Sequence, residues 1–330
     1  MGLMAGSVHA GVGAAAGQIL LQPIAARPAA LGEALCAEAG STDALGANPA
    51  GLGGLVSPEG SAMFHAGFAG DTFVSALGGG NVKGFGVGGA VAYQTTGSVE
   101  RLDPAGRVSQ VSAQNDLWLT AGIARLLPVV PVHAGAAVEI VRSTLLEEFT
   151  ATDVAANLGL QGRIDSLGLA LGASVQHWGG SLRYDEEQTP IDTNAIPLTY
   201  RFGAAWTRAT EPGDSTIGSL ESADRPRMTR PAAPHVVTLF GEAVVRREEH
   251  AVGYGLGAEY GWAGWVFVRG GYRRLAEGAA RTRNLYALGA GLRRGPVRID
   301  YAMELLEFTV LHRIGITVAQ REEPEGRWSR

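Results

Sequence analysis

From about residue 61 to residue 320, the chain alternates between two kinds of residue with a period of two. In AVGYGLGAEYGW (251–262), large apolar residues fall on one phase, and glycine, alanine or glutamate falls on the other. Successive side chains of a β-strand point to opposite faces. Each segment therefore has one apolar face and one face that is small or charged. About fourteen such segments follow one another, most of them near ten residues long.

Two folds produce this alternation. A soluble β-sandwich fills its inner face with large side chains and keeps its outer face polar, whereas a transmembrane barrel turns its apolar face to lipid. Here the second face carries glycine, alanine and a few charges, which is too little volume for a sandwich core. Segments of this length and even number suit strands that cross a bilayer at a tilt. We therefore predict an all-β fold, an antiparallel transmembrane β-barrel of about 14 strands, in the outer membrane of a diderm bacterium.

The connections between segments fall into two sets. Short ones lie near 83, near 128 and at 162–166, 262–264 and 294–296, and they alternate with longer ones at 97–109, 177–196, 275–283 and 304–310. Outer-membrane barrels have short periplasmic turns and longer extracellular loops, so the short set is predicted to be periplasmic. The long, proline-rich and charged stretch 209–234 departs from this scheme, because by strand count it also falls on the periplasmic side.

Aromatic residues lie near the ends of the segments, where interfacial girdles place them in membrane barrels. We predict a girdle from Tyr93, Trp118, Trp178, Tyr200, Trp206, Tyr260, Trp262, Trp265, Tyr272 and Tyr301.

The residues before the first strand have a different pattern. Apolar residues at helical spacing predict a helix over about 28–40, with Pro28 in its first turn, and Asn48-Pro49 predicts a tight turn. The chain is thus divided into a signal-peptide remnant (1–18), an N-terminal plug segment (19–58), the barrel (59–321) and a polar tail (322–330). The helix is expected to occupy the lumen that the small inward residues leave open.

Composition and motifs exclude several functions. The net charge is −5 and no Lys/Arg stripe with interleaved aromatics occurs, so no nucleic-acid partner is predicted. The single cysteine, Cys36, and the seven histidines show no metal-ligand spacing. No GxSxG or Walker sequence occurs either. We expect no enzymatic activity, no cofactor and no metal.

Several blocks in order resemble the PorV/PorQ-like outer-membrane proteins, also called the UPF0164 type, which are relatives of FadL-type long-chain fatty-acid transporters. They are LQPIAARPAALGEALCAEAGSTDALGANPAGLGGL (21–55), IPLTYRFGAAW (196–206), GLGAEYGW (255–262), FVRGGYRR (267–274) and RIDYAM (298–303). Leu31-Gly32-Glu33-Ala34 and Asn157-Leu158-Gly159 depart from the pattern of that family.

The resemblance implies a fourteen-stranded barrel with an N-terminal segment folded into the lumen. It also implies two roles, which the motifs do not separate. One is a plugged channel or transporter for hydrophobic small molecules. The other is an adaptor of type IX secretion that binds cargo or secretion-system proteins through its loops. In both cases outer-membrane lipid surrounds the barrel.

Two groups of residues are the candidate sites. The plug and its Asn-Pro-Ala turn comprise Arg27, Asn48, Pro49, Ala50 and Gly51. Charges on the inward phase of the strands form the second group: Arg201, Glu259, Arg269, Asp300 and Arg313. An unpaired buried ion is expensive, so these charges are expected to pair and to tie the plug to the wall, with direct substrate contact as the alternative.

Overall fold

The computed structural model describes residues 17–67, 70–102, 106–183, 194–210, 235–277, 281–307 and 309–320. The predicted signal-peptide remnant, apart from its last two residues, and the predicted polar tail lie outside these ranges. Fourteen antiparallel strands close into one barrel, in which the first strand pairs with the last. The predicted fold class is confirmed.

The strands of the barrel are β1 (Glu59–Ala66), β2 (Thr72–Val82), β3 (Phe85–Leu102), β4 (Val108–Leu126), β5 (Val132–Leu145), β6 (Phe149–Ile164), β7 (Leu169–Gly179), β10 (Thr199–Thr210), β11 (His235–Arg246), β12 (Ala251–Trp262), β13 (Val266–Glu277), β14 (Arg281–Arg294), β15 (Val297–Leu305) and β16 (Val310–Ala319). Two short strands, β8 (Ser181–Leu182) and β9 (Asn194–Ala195), form a separate two-stranded sheet between β7 and β10.

The two faces of the barrel differ as the sequence pattern requires. Along β12, buried and exposed residues alternate, with Gly253 and Gly255 inside and Leu256 outside. Large apolar side chains are exposed on many strands; Leu288 and Ile314 are 52% and 57% exposed. An apolar outer surface of this kind suits a lipid environment.

The N-terminal segment lies inside the barrel and is built from very short elements. These are one α-helix, α1 (Ala26–Ala30), and 3₁₀ turns at Gln18–Leu21, Thr42–Gly46 and Pro49–Gly54. The helix predicted over 28–40 is therefore wrong in extent. Gly32 and Glu33 both have a positive φ, of 62° and 60°, which a right-handed helix cannot contain. No helix among the described residues is long and apolar enough to span a membrane.

The segment, here called the plug (residues 17–58), reaches across the whole lumen. It contacts each of the fourteen strands of the barrel. Helix α1 lies against β13 to β16, and the turn Pro49–Gly54 lies against β2 to β6. Most plug side chains from Ile19 to Leu52 are buried.

Two of the predicted long loops are mostly strand. β3 and β4 pair as far as Leu102↔Val108, so most of the loop expected at 97–109 is a hairpin that continues the barrel. β13 and β14 likewise pair as far as Glu277↔Arg281 within the loop expected at 275–283. Polar strand ends such as Thr96 and Gln114 still form the ladder, because backbone groups make the hydrogen bonds whatever the side chain.

The stretch 209–234 begins and ends at one rim of the barrel. Thr210 pairs with His235, at the same end of the barrel as Glu59, which starts β1. This is the rim of the short turns Lys83-Gly84 and Gly295-Pro296. Residues 211–234 themselves lie outside the described ranges.

Most of the predicted girdle residues face outward. Trp178, Trp262 and Trp265 are 62%, 45% and 46% exposed, and the last two contact each other in a tilted arrangement with ring centroids 5.0 Å apart. Trp118 is the exception: it is 3% exposed, faces the lumen and donates a hydrogen bond to Glu139. Its neighbours Leu117 and Leu119 are also apolar, so the sequence does not show which residues in this part of β4 face the lumen.

Candidate functional site

The inward glycines form a cradle for the plug backbone. A Cβ added to Gly257 would lie 2.6 Å from the carbonyl oxygen of Leu31, and one added to Gly255 would lie 2.6 Å from that of Gly32. Additions at Gly86, Gly159 and Gly172 would overlap plug atoms outright. The small face of the strands is therefore the surface on which the plug rests, because no larger residue leaves room for the plug backbone.

Replacing Gly257 by valine should weaken docking of the plug, because the new side chain meets the Leu31 carbonyl. We expect a thermal midpoint lower by several degrees, since overpacking typically costs about 1–3 kcal/mol. Gly270→Val is the matched control, because an added Cβ there meets nothing within 4 Å. Equal midpoints for the two variants would show that the plug does not rest on this wall.

The Asn-Pro-Ala turn fixes the plug to itself and to the wall. Asn48 is fully buried, and its Oδ1 accepts a hydrogen bond from the Ala50 amide at 3.1 Å, which caps the turn Pro49–Gly54. Its Nδ2 donates to the carbonyl oxygens of Cys36 at 2.8 Å and Leu160 at 2.9 Å. Gly40 donates its amide to the Gly51 carbonyl at 3.0 Å. One amide side chain thus joins two parts of the plug to β6.

Four of the predicted residues, Arg27, Glu259, Arg269 and Asp300, belong to one chain of ion pairs. Arg27 in the plug pairs with Glu259 on β12 at 2.9 Å and with Glu38 at 3.1 Å. Arg269 on β13 then bridges Glu259 at 2.5 Å and Asp300 at 2.7 Å. Because the pairs are continuous, the plug cation is part of the charge balance of the wall. We call this the central ion-pair chain.

Arg201 lies in a second group, at the plug residues Glu33 and Cys36. It pairs with Glu242 at 2.6 Å, and Glu242 also accepts a hydrogen bond from the Cys36 amide at 2.8 Å. Burial opposes ionisation of Glu33, but Arg273 and Arg201 outweigh it and lower the pKa of Glu33. Burial raises the pKa of Cys36 to about 12, so this thiol stays neutral and unreactive.

Arg313 lies in a third group, on β16. It donates to Glu304 on β15 and, through Nη2, to the side-chain oxygen of Gln22 in the plug at 3.0 Å. The five predicted lumen charges are thus distributed over three separate groups. Each group includes plug atoms.

A buried polar cluster on β4 to β7 was missed by sequence reasoning. Glu139 accepts hydrogen bonds from Trp118 Nε1 at 3.0 Å and Asn157 Nδ2 at 3.1 Å, and it lies 2.6 Å from His177 Nδ1. His177 lies at a β-bulge between β6 and β7 and has a φ of 59°. Glu139 falls on the inward phase between Val138 and Ile140, so the alternation could have identified it. The bulge that turns His177 inward has no comparable signal.

Asp43 of the plug is buried near both basic and acidic side chains. Its Oδ2 has no hydrogen-bond partner within the described part of the chain. Burial raises the pKa of Asp43 to about 6; Arg298 and Arg27 oppose this shift, and Glu59 and Asp300 reinforce it.

We expect plug docking to weaken as the pH rises from about 4 to about 6. A hydrated aspartate has a pKa near 3.9, so the docked form binds the proton more tightly and is stabilised at the acid end. Over this pH range, the free energy that Asp43 contributes to plug docking falls by about 3 kcal/mol. Thermal midpoints of the detergent-solubilised protein should be higher at pH 5 than at pH 7.5, and Asp43→Asn should remove most of this difference. An unchanged difference in the variant would assign it to other groups.

The lumen also contains an apolar region around the start of the plug. Ile19, Leu20 and Ile24 pack with wall residues from β1, β2, β4 and β5 in one buried cluster. The wall residues include Met63, Phe73, Leu77, Trp118 and Val141. Ser75 fixes the plug here by donating to the Ile24 carbonyl at 2.6 Å. Apolar packing and a hydrogen bond therefore both hold the start of the plug against the wall.

A polar cavity of about 190 Å³ remains between the plug and the part of the wall formed by β6, β7 and β10 to β12. Arg27, Glu38, Gln161, Arg163, Thr238 and Glu259 are among the residues that line it. One end of the central ion-pair chain therefore borders free volume. Within the described ranges, no group of three His, Cys, Asp or Glu residues has an arrangement that could hold a metal ion.

These features define a fourteen-stranded barrel of the transmembrane type that is closed by its own N-terminal segment. Solved structures with this fold include the Pseudomonas putida toluene transporter TodX, with a TM-score of 0.57 and 12% identity, covering 88% of this chain and 96% of that one. A deltaS2 mutant of the TodX monoaromatic hydrocarbon channel gives a TM-score of 0.59 and 11% identity, covering 92% and 99%. At 11–12% sequence identity, this structural likeness establishes the fold and nothing further. No protein-family model and no curated protein matches the chain.

Proposed function

We propose that this protein is an outer-membrane channel for small hydrophobic molecules, closed at rest by its plug. The observation that carries the proposal is the apolar region inside the lumen, in which Ile19, Leu20 and Ile24 of the plug cover wall residues such as Phe73 and Met63. Apolar surface inside a barrel is stabilised by contact with another apolar group. A hydrophobic molecule would replace the plug residues there without loss of buried area.

The likeness to TodX supports the same proposal. TodX is a toluene transporter, and its structure matches 88% of this chain. We extend the transport of hydrophobic molecules to this chain because its own lumen has the apolar lining that such molecules need. The exposed apolar outer face makes outer-membrane lipid its immediate partner.

The narrower PorV/PorQ assignment also belongs to this proposal. It is supported by the order of the sequence blocks and by an N-terminal segment folded into the lumen, where Asn48 caps the turn at Pro49. The adaptor role in type IX secretion depends on binding through loops. Two of the long loops that it would use are mostly strand, with β3 pairing β4 and β13 pairing β14, so we favour the channel. We also propose that the protein has no catalytic activity.

Uptake into liposomes tests the channel. Purified full-length protein should accelerate entry of an apolar fluorescent probe over empty liposomes, and a polar dye of similar size should enter no faster. Absence of uptake for every apolar probe would refute the channel. Crosslinking of the same protein to a secretion-system subunit would then favour the adaptor.

A further inference from the structure

The side chain of His65 on β1 is buried, and the structure describes no hydrogen-bond partner for it. It is 6% exposed and faces the lumen, and neither ring nitrogen has a partner within the described part of the chain. A neutral imidazole carries one N–H donor and one acceptor nitrogen. Leaving both unpaired in a folded interior is costly and calls for an explanation.

Arg313 lies directly beside His65 on the neighbouring strand β16. The two residues face each other in the register of β1 and β16. Arg313 is 1% exposed, and its Nη1 also has no partner among the described residues. Two neighbouring strands thus present unused hydrogen-bonding groups at the same height in the lumen.

The charge at this position is already balanced. Glu304 pairs with Arg313 through Nε, so the pair has no net charge. The plug supplies one further acceptor, the neutral amide oxygen of Gln22, to Nη2 at 3.0 Å. The group that Arg313 binds from the plug is therefore an uncharged oxygen. A carboxylate in its place would bring an extra negative charge next to Glu304.

Large apolar residues adjoin this pair on the lumen face. Phe73 lies opposite His65 in the register of β1 and β2, and Met63 lies two residues earlier on the same face. Both belong to the buried cluster that includes Ile19 of the plug. A molecule bound here would contact the apolar residues Phe73 and Met63 next to the polar groups of His65 and Arg313.

We propose that His65 and Arg313 form a polar subsite for the hydroxyl group of an otherwise apolar molecule, such as a phenol or a long-chain alcohol. The inference rests on the proposed function and narrows its substrate class. A hydroxyl both donates and accepts, so it satisfies the acceptor nitrogen of His65 and takes a hydrogen bond from Arg313. A carboxylate only accepts. The start of the plug, including Gln22, occupies this subsite at rest and is displaced by the ligand.

Three probes with one ring system test this assignment: naphthalene, 2-naphthol and 2-naphthoate. Their binding to the full-length protein in detergent is measured by quenching of tryptophan fluorescence. We expect 2-naphthol to bind about tenfold tighter than naphthalene, because the hydrogen bonds to otherwise unpaired buried groups are gained. The naphthoate should bind no tighter than naphthalene.

Two variants locate the effect. His65→Phe should abolish the preference for naphthol and leave the affinity for naphthalene unchanged. His312→Phe is the matched control, because His312 is one residue from Arg313 but is exposed on the outer face, beside Tyr301. Gln22→Ala removes the resting occupant and should tighten binding of naphthol several-fold.

Each outcome decides a separate claim. Equal binding of naphthalene and naphthol by the wild-type protein would overturn the hydroxyl subsite and leave the hydrophobic channel standing. Tightest binding by naphthoate would make the subsite one for anions. If none of the three probes binds, the proposed function fails as well. The wild-type comparison keeps the test decisive even if a variant does not fold.

Discussion

Deleting residues 19–55 should convert the closed barrel into an open pore and leave its insertion into membranes intact. The plug contacts all fourteen strands, so its removal empties the whole cross-section of the lumen. The barrel ladder uses none of these residues, because it closes through pairing of β1 with β16. Barrel closure and lumen closure are thus carried by different parts of the chain.

Planar-bilayer conductance measures the first effect, and heat-modifiable gel mobility measures the second. The deleted protein should show large, steady conductance steps, with a mobility shift like that of the full-length chain. A deleted barrel that inserts normally but conducts no more than the full-length protein would show that the plug does not close the lumen.

Replacing Arg269 by alanine should loosen the plug and destabilise the protein. Its side chain is fully buried and bridges Glu259 and Asp300. Removing it leaves two buried carboxylates with less positive charge beside them. Breaking a buried ion pair in this way costs about 3–5 kcal/mol. Because Glu259 also holds Arg27 of the plug, the loss extends to plug docking.

The thermal midpoint and the conductance of Arg269→Ala should therefore change together, the first falling and the second rising. Arg274→Ala is the matched control: it removes the same charge from the same strand, but Arg274 is exposed on the outward phase of β13. Wild-type values for both quantities in Arg269→Ala would count against a role in holding the plug.

Much of the fold could be predicted from the alternation, because every strand of a closed barrel has one face toward the lumen and one face outward. It identified Glu259, Arg269 and Asp300 as inward residues, and the structure joins them in one chain of ion pairs. Glu242 and Glu304 also lie on inward phases, so their pairing with Arg201 and Arg313 was accessible to the same reasoning.

The path of the plug was not accessible in this way. Helical spacing in ALGEALCAEA predicts a helix, but the backbone turns at Gly32 and Glu33, where both φ angles are positive. That turn is imposed by the wall, since Gly32 lies against the carbonyl groups of Leu256 and Tyr272. Tertiary contact overrides local propensity here, and the position of Glu33 between Arg201 and Arg273 follows from it.

A reversible lock on the plug tests the central claim most directly. A Cβ on Gly315 would lie 3.3 Å from the Cβ of Ala26, close to the roughly 3.5–4.5 Å of a disulfide. Ala26→Cys with Gly315→Cys, in a Cys36→Ala background, should therefore tie α1 to β16. If the plug must move for a hydrophobic molecule to pass, liposome uptake of an apolar probe should stop on oxidation and return on reduction. Uptake at the same rate in both states would contradict the account.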